Sequence, residues 1–272
     1  MPELHDLHYR NTGLPTHALD LYLPPIAALP PPLLVYVHGG AWRTGDKAEY
    51  QDLGRHLAND GFAVAVINHS LSLKTLEEAG NPIHHPTHVQ DTAAAVAFLS
   101  QHAEQYNYRS DRIYLCGHSS AAHIVSLLAL APEHLIHEAA AATQGSPDLL
   151  SHIRGIICVE GIYDIPRLLT TWPDYRDFIE QAFGSDPTCY EVSSPQYHRP
   201  PNVGSVPPFL IVHSLEDELV DLPQSQEFFN HLVAIGVQSV DLDTSLQGTH
   251  FEMLHTQEFA ETVAKFMRNL EA

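Results

Sequence analysis

The sequence predicts an α/β fold with a mostly parallel central sheet and helices on both of its faces. Apolar strand-like runs alternate with helix-like stretches along most of the 272 residues. Several of these runs are continuously apolar, as in strands buried on both faces. With 44% apolar and 17% charged residues, the composition is that of a globular protein, so we expect a single domain over residues 1–272.

The first part of the chain predicts an edge strand and then a central strand. Residues 18–23 alternate between apolar and polar types, and a proline-rich connector follows through Pro32. This pattern predicts an antiparallel edge strand and a loop. Residues 33–37 form a continuous apolar run, which predicts a buried strand, and glycines mark a tight loop after it.

The remaining elements continue the alternation. Strands are predicted at 62–67, 112–116, 155–159, 208–213 and 239–242, and helices near 47–60, 87–104, 120–131, 223–235 and 255–270. Residues 160–207 break this rhythm and hold many aromatic residues and prolines. They predict a small cap-like insertion over the edge of the sheet.

Charge and composition exclude several classes of partner. The net charge of −20 repels phosphate backbones and anionic membrane surfaces, so we expect no nucleic-acid or membrane partner. The N-terminus lacks signal-peptide character and no segment reaches the roughly 18 apolar residues of a membrane span, so we expect a cytoplasmic protein.

The twenty histidines are scattered without the spacing of metal ligands, so we expect no metal site, and we expect no cofactor. The sequence is compatible with a homodimer. Cys116, Cys158 and Cys189 have unrelated spacings and predict buried thiols.

Ser119 lies where a predicted strand passes into a predicted helix. Gly117 and Ala121 flank it at two residues on either side, as small residues do in a nucleophile elbow, where a strained turn exposes a reactive serine. Ala121 departs from the usual G-x-S-x-G pattern. A plain helix N-cap is the alternative interpretation of this stretch.

A nucleophilic serine needs a base and an orienting carboxylate. In an open parallel sheet these groups come from loops at the carboxyl ends of strands. Two such loops supply Asp217 and His250, which gives the chain order Ser119, Asp217, His250. The alternatives are Glu216 and then Asp221 for the acid, and His255 for the base. His123, one helical turn beyond the serine, is interpreted as a packing residue.

The loop of His38, Gly39, Gly40, Ala41 and Trp42 predicts an oxyanion hole. Acyl transfer needs backbone N–H donors aimed at the oxygen that becomes negative. The Gly39 and Gly40 amides, completed by the amide of Ser120, are the predicted donors.

The chain resembles the α/β-hydrolases of the esterase group that carries an HGG loop, and within that group the kynurenine formamidases. The resemblance covers nearly the whole chain. The stretches that carry it are residues 38–42, 117–121, 160–164 and 213–220. It implies hydrolysis of N-formyl-L-kynurenine to L-kynurenine and formate in tryptophan catabolism, with a small-molecule aryl formamide or ester as the substrate.

Substrate contacts are further hypotheses. Trp42, Tyr163 and Trp172 are candidates for an aromatic wall, and packing is their alternative role. Asp164 is a candidate for binding the substrate ammonium group, or else a helix cap. For the whole chain, the alternatives are a carboxylesterase acting on short acyl esters and a non-catalytic binding protein of the same fold.

Overall fold

The chain forms an eight-stranded sheet with helices on both faces. A computed structural model describes residues 2–25, 29–142 and 148–272. The strands are β1 (Glu3–His8), β2 (Ala18–Tyr22), β3 (Leu33–Val37), β4 (Ala63–Ile67), β5 (Ile113–His118), β6 (Ile153–Val159), β7 (Phe209–Val212) and β8 (Val240–Asp243). Their order across the sheet is β1-β2-β4-β3-β5-β6-β7-β8. The predicted α/β class with a mostly parallel sheet is confirmed.

The amino-terminal edge differs from the prediction. β2 pairs with β4 on one side and with β1 on the other, both antiparallel, so β2 is an inner strand and β1 is the edge. β1 escaped prediction because only Leu4 and Leu7 are apolar among its six residues, and a half-exposed edge strand needs few apolar side chains. All strands from β3 to β8 run parallel to one another.

Twelve α-helices are found within the described ranges. They are α1 (Gln51–Asn59), α2 (Lys74–Glu78), α3 (Thr87–Gln101), α4 (Ala103–Tyr106), α5 (Ser120–Leu130), α6 (Glu133–Ala142), α7 (Leu149–His152), α8 (Ile165–Thr171), α9 (Arg176–Phe183), α10 (Thr188–Ser193), α11 (Leu222–Ile235) and α12 (Gln257–Glu271). None of the helices in these ranges has the length and apolar character needed to cross a membrane.

The core has two layers, one on each face of the sheet. Val35 of β3 faces one layer, together with α3 and α5. Leu34 and Tyr36 of the same strand face the other layer, together with α1 and α12. This alternation follows from the two-residue period of a strand, and it explains why the central strands are apolar throughout.

Residues 160–207 hold the short helices α8, α9 and α10 between β6 and β7. Residues of α9 and of the turn before it border the cleft described below. The three cysteines are free: Cys116 and Cys158 are buried as predicted, and Cys189 is half-buried.

Candidate active site

Ser119 alone makes the turn between β5 and α5. Its backbone has φ 55° and ψ −120°, a conformation that costs energy for a residue with a side chain. The Ser119 hydroxyl makes no capping hydrogen bond to α5, and the residue lines a cleft. A Cβ at Gly117 would lie 2.8 Å from the Ala122 nitrogen, so only glycine fits there. These features are those of an elbow rather than of a helix cap.

His250 and Asp217 lie at the same edge of the sheet, in the loops after β8 and β7. The Nδ1 atom of His250 is 2.9 Å from Oδ2 of Asp217. The Asp217 side chain is fully buried, and its other oxygen accepts from the Leu219 and Val220 amides at 2.8 and 3.0 Å. With its proton held on Nδ1 by the carboxylate, the imidazole presents Nε2 as a base.

The alternative acids and the alternative base have other partners. The alternative base His255 is exposed and stacks on Tyr50, with 6.3 Å between ring centres. Glu216 is exposed and accepts from the Gly248 amide, and Asp221 pairs with Arg167 at 3.0 Å. His123 is buried, and its Nε2 contacts the Ser193 carbonyl at 2.7 Å, which is a packing role. Ser119 lines the same cleft as His250, whose Nδ1 contacts Asp217, so the three predicted residues lie at one site.

The loop after β3 is held in an unusual conformation. Gly40, Ala41 and Trp42 have positive φ values of 110°, 52° and 57°. The Trp42 amide donates to Oγ of Ser120 at 3.3 Å, which ties the loop to the start of α5. The amide of Ser120 belongs to the first turn of that helix, where N–H groups have no partner within the helix.

Two residues of this loop line the cleft. Gly40 and Ala41 border it, next to Ser119. Gly39 lies beneath them, and a Cβ there would meet the His118 carbonyl at 2.8 Å. Gly39 is needed for this close packing beside Ser119, and the amides of Gly39 and Gly40 stay the predicted donors.

The cleft has a volume of about 510 Å³. Its aromatic wall consists of Tyr175, Phe178 and Phe251. Arg43 and Asp174 add charged groups to the lining. Arg43 is held by Asp177 at 2.7 Å and lies over the Phe178 ring, 5.5 Å from its centre.

None of the four predicted substrate contacts is among the residues lining this cleft. Trp42 and Tyr163 are fully buried: Trp42 packs against Phe183 at 5.0 Å between ring centres, and Tyr163 stacks on Phe228 at 4.1 Å. Their roles are therefore in packing.

The other two predicted contacts also have structural partners. Asp164 caps α8 by accepting from the Arg167 amide at 2.9 Å. Trp172 stacks behind Tyr175 at 5.6 Å, so it supports the aromatic wall from outside the cleft. The sequence shows aromatic residues in loops, but which of them face the cleft depends on how residues 160–207 fold.

A second carboxyl group, Glu160, lies beside His250. Glu160 follows β6 directly and is fully buried, with φ 48°. Its Oε2 is 3.7 Å from Nδ1 of His250 and 3.5 Å from Nε2 of His118. Burial, and then the nearby Asp217 carboxylate, raise the pKa of Glu160 to about 9. The sequence held one signal for it, since Glu160 follows a predicted strand on the same edge as the other site residues.

His118, Glu160 and His250 are also the one group of possible metal ligands found among the described residues, with ligand atoms within 4.8 Å of one another. One nitrogen of each histidine is already engaged: His118 Nε2 contacts the His250 carbonyl at 2.9 Å, and His250 Nδ1 contacts Asp217. We therefore interpret the group as part of a hydrogen-bonded cluster around the imidazole of His250.

Comparisons with known proteins identify the family and the fold. The family model BD-FAE matches residues 19–232, which include β3 to β7, Ser119 and Asp217. Among solved structures, a truncated form of a carbohydrate esterase from gut microbiota has a TM-score of 0.80 at 19% identity, covering 99% of this chain and 96% of that one. This likeness shows the α/β-hydrolase fold.

Two relatives are named for different activities. The chain is 27% identical to the probable carboxylic ester hydrolase LipM of Mycobacterium tuberculosis, over 86% of this chain and 53% of that protein. It is 25% identical to a kynurenine formamidase of Scheffersomyces stipitis, over 86% of this chain and 90% of that protein. The chain spans about half the length of the first curated relatives that it matches.

Proposed function

The chain belongs to the BD-FAE family, and from that premise we propose that it is a serine hydrolase that cleaves a small acyl amide or ester. The observation that carries this proposal is the arrangement at the cleft. Ser119 and His250 line it together, and His250 is oriented by the buried Asp217 at 2.9 Å. A serine is a poor nucleophile on its own, and this geometry supplies the base that activates it.

The proposed mechanism is acyl transfer through an acyl-enzyme. Nε2 of His250 takes the proton from the Ser119 hydroxyl as its oxygen attacks the substrate carbonyl. Backbone amides at Gly39, Gly40 and Ser120 stabilise the oxyanion. The imidazolium then protonates the leaving group, and His250 activates a water molecule that releases the acyl group.

The proposed substrate is N-formyl-L-kynurenine. Its aryl ring matches the aromatic wall of Tyr175, Phe178 and Phe251, and its ammonium and carboxylate groups match the opposite charges of Asp174 and Arg43. An aryl amine is also a better leaving group than an alkyl amine. The relative named kynurenine formamidase supports this choice.

A carboxylesterase of short acyl esters is the second candidate, because it needs the same catalytic groups and the relative LipM is named as an ester hydrolase. Rates with N-formyl-L-kynurenine and p-nitrophenyl acetate separate the two. We expect kcat/KM to be higher for the formamide. A strong preference for the ester would contradict formamidase activity and leave the hydrolase proposal standing.

Asp174→Asn tests the role of charge in substrate choice. Because Asp174 is exposed, we expect KM for N-formyl-L-kynurenine to rise only about twofold to fivefold. KM for the uncharged ester should stay constant. Glu104→Gln, an exposed acidic residue on α4, is the matched control. An equal change for both substrates would argue against recognition of an ammonium group.

A further inference from the structure

The imidazole of His250 has two carboxyl groups at its Nδ1 atom. Asp217 lies at 2.9 Å and Glu160 at 3.7 Å, and both side chains are closed to solvent. They approach from different strands, since Asp217 follows β7 and Glu160 follows β6. A triad as such requires only one of them.

Glu160 is held in this position by the fold. The Ser214 amide contacts its Oε1 at 3.4 Å, and Oε2 makes no hydrogen bond to any described residue. Its φ of 48° is uncommon for a residue with a side chain and persists only where the surroundings enforce it. An unpaired, fully buried carboxyl oxygen is costly, so an apolar residue would serve packing better.

We propose that Glu160 is a positioning residue for His250, a second carboxyl group that orients the imidazole through Nδ1 when Asp217 cannot. This inference rests on the proposed function, because it concerns the base of that reaction. Glu160 acts through His250 and does not line the cleft.

The surroundings of Glu160 determine when it carries a charge. Asp217 and Glu218 face it from the β7 loop, His118 from β5, and His250 from the loop after β8. Burial and the charge of Asp217 keep its pKa near 9, so it is neutral at pH 7. Loss of the Asp217 charge removes the second of these causes and lowers the pKa of Glu160. The carboxyl group then releases its proton to solvent at a lower pH and holds the imidazolium in place of Asp217.

The test is to remove Asp217 with and without Glu160. Asp217→Ala removes the carboxyl group and leaves room beside the imidazole. Asp217→Asn keeps an acceptor for the Leu219 and Val220 amides. If one of the two variants does not fold, the other can still be measured. Each is combined with Glu160→Gln, and kcat/KM for p-nitrophenyl acetate is measured from pH 6 to 9.5. Far-UV circular dichroism checks that every variant is folded.

We expect activity of the Asp217 variants to rise with pH as Glu160 ionises. Loss of a triad carboxylate lowers kcat by roughly 10⁴-fold where no other carboxylate helps. With Glu160 present, the loss at pH 9 should be only about 10-fold to 100-fold, and with Glu160→Gln it should return to about 10⁴-fold with a flat pH profile. Glu216→Gln in the Asp217 background is the matched control, because the exposed Glu216 contacts Gly248 instead of the imidazole, and it should leave the rise intact.

Equal rates and equal pH profiles with and without Glu160 would overturn the inference. That result is distinguishable from failure of the proposed function. Wild-type hydrolysis that Ser119→Ala abolishes would uphold the function even if Glu160 has no effect, whereas an inactive wild-type protein would overturn both.

Discussion

Position 40 requires glycine, because its φ is positive and no space is left for a Cβ atom. Its φ is 110°, and a Cβ would lie 2.6 Å from Oγ1 of Thr44. Gly40→Ala should therefore displace the loop and misplace an oxyanion donor, which lowers kcat by roughly 10²-fold to 10³-fold. Steady-state kinetics measure this change. Gly80→Ala, with positive φ and open space around it, is the control for strain alone. Equal kcat values for both variants would remove Gly40 from the proposed oxyanion hole.

Single residues were predictable where local chemistry and chain order agree. Ser119, Asp217 and His250 each follow a recognisable strand, and their order alone indicated one site. Glu160 follows a strand too, but nothing in the sequence shows that its side chain turns inward beside His250. The orientation of a buried side chain depends on packing between elements that are distant in the sequence.

At the scale of elements, the turn at Ser119 depends on the close packing of the end of β5 against the first turn of α5. Gly117→Ala would push its Cβ against the Ala121 and Ala122 backbone, which cannot move without shifting α5. We expect about 1–3 kcal/mol of destabilisation from overpacking, together with loss of activity as Ser119 moves. Urea denaturation and kinetics give the two values. Gly204→Ala, in an open turn, is the control. Unchanged stability and activity would show that the turn tolerates a side chain.

The central strands were predictable because strands buried on both faces are continuously apolar. β3 and β4 match the predicted runs within one residue at either end. β1 and the detailed path of residues 160–207 were not predictable. An exposed edge strand carries a weak pattern, and the short helices α8, α9 and α10 are placed by contacts with one another. For this reason Tyr175 and Phe178, rather than Tyr163 and Trp172, form the wall of the cleft.

At the scale of the whole molecule, several histidines are buried without charge. Burial lowers the pKa of His38 to about 3 and lowers the pKa values of His69, His88 and His123. In the unfolded chain these groups titrate near 6.5. The unfolded state therefore binds more protons below that pH, and stability should fall as pH drops from about 6.5 toward 3.

The expected slope is up to about 1.4 kcal/mol per pH unit for each histidine. Glu160 has the opposite sign, because a raised carboxyl pKa favours the folded state at low pH, but it is one group against nine histidines with lowered pKa values. Urea midpoints at pH 7 and pH 5.5 measure the balance, in a range above most carboxyl titrations. Equal midpoints would contradict the buried neutral state of these histidines.

Hydrolysis by Ser119 is the central claim, and one comparison tests it. Formation of L-kynurenine from N-formyl-L-kynurenine is followed by absorbance for the wild-type protein, for Ser119→Ala, and for the control Ser126→Ala, which changes a buried serine two turns along α5. We predict that Ser119→Ala lowers kcat by roughly 10⁴-fold or more while its circular dichroism matches that of the wild type, and that Ser126→Ala stays active. Undiminished hydrolysis by folded Ser119→Ala would contradict the account.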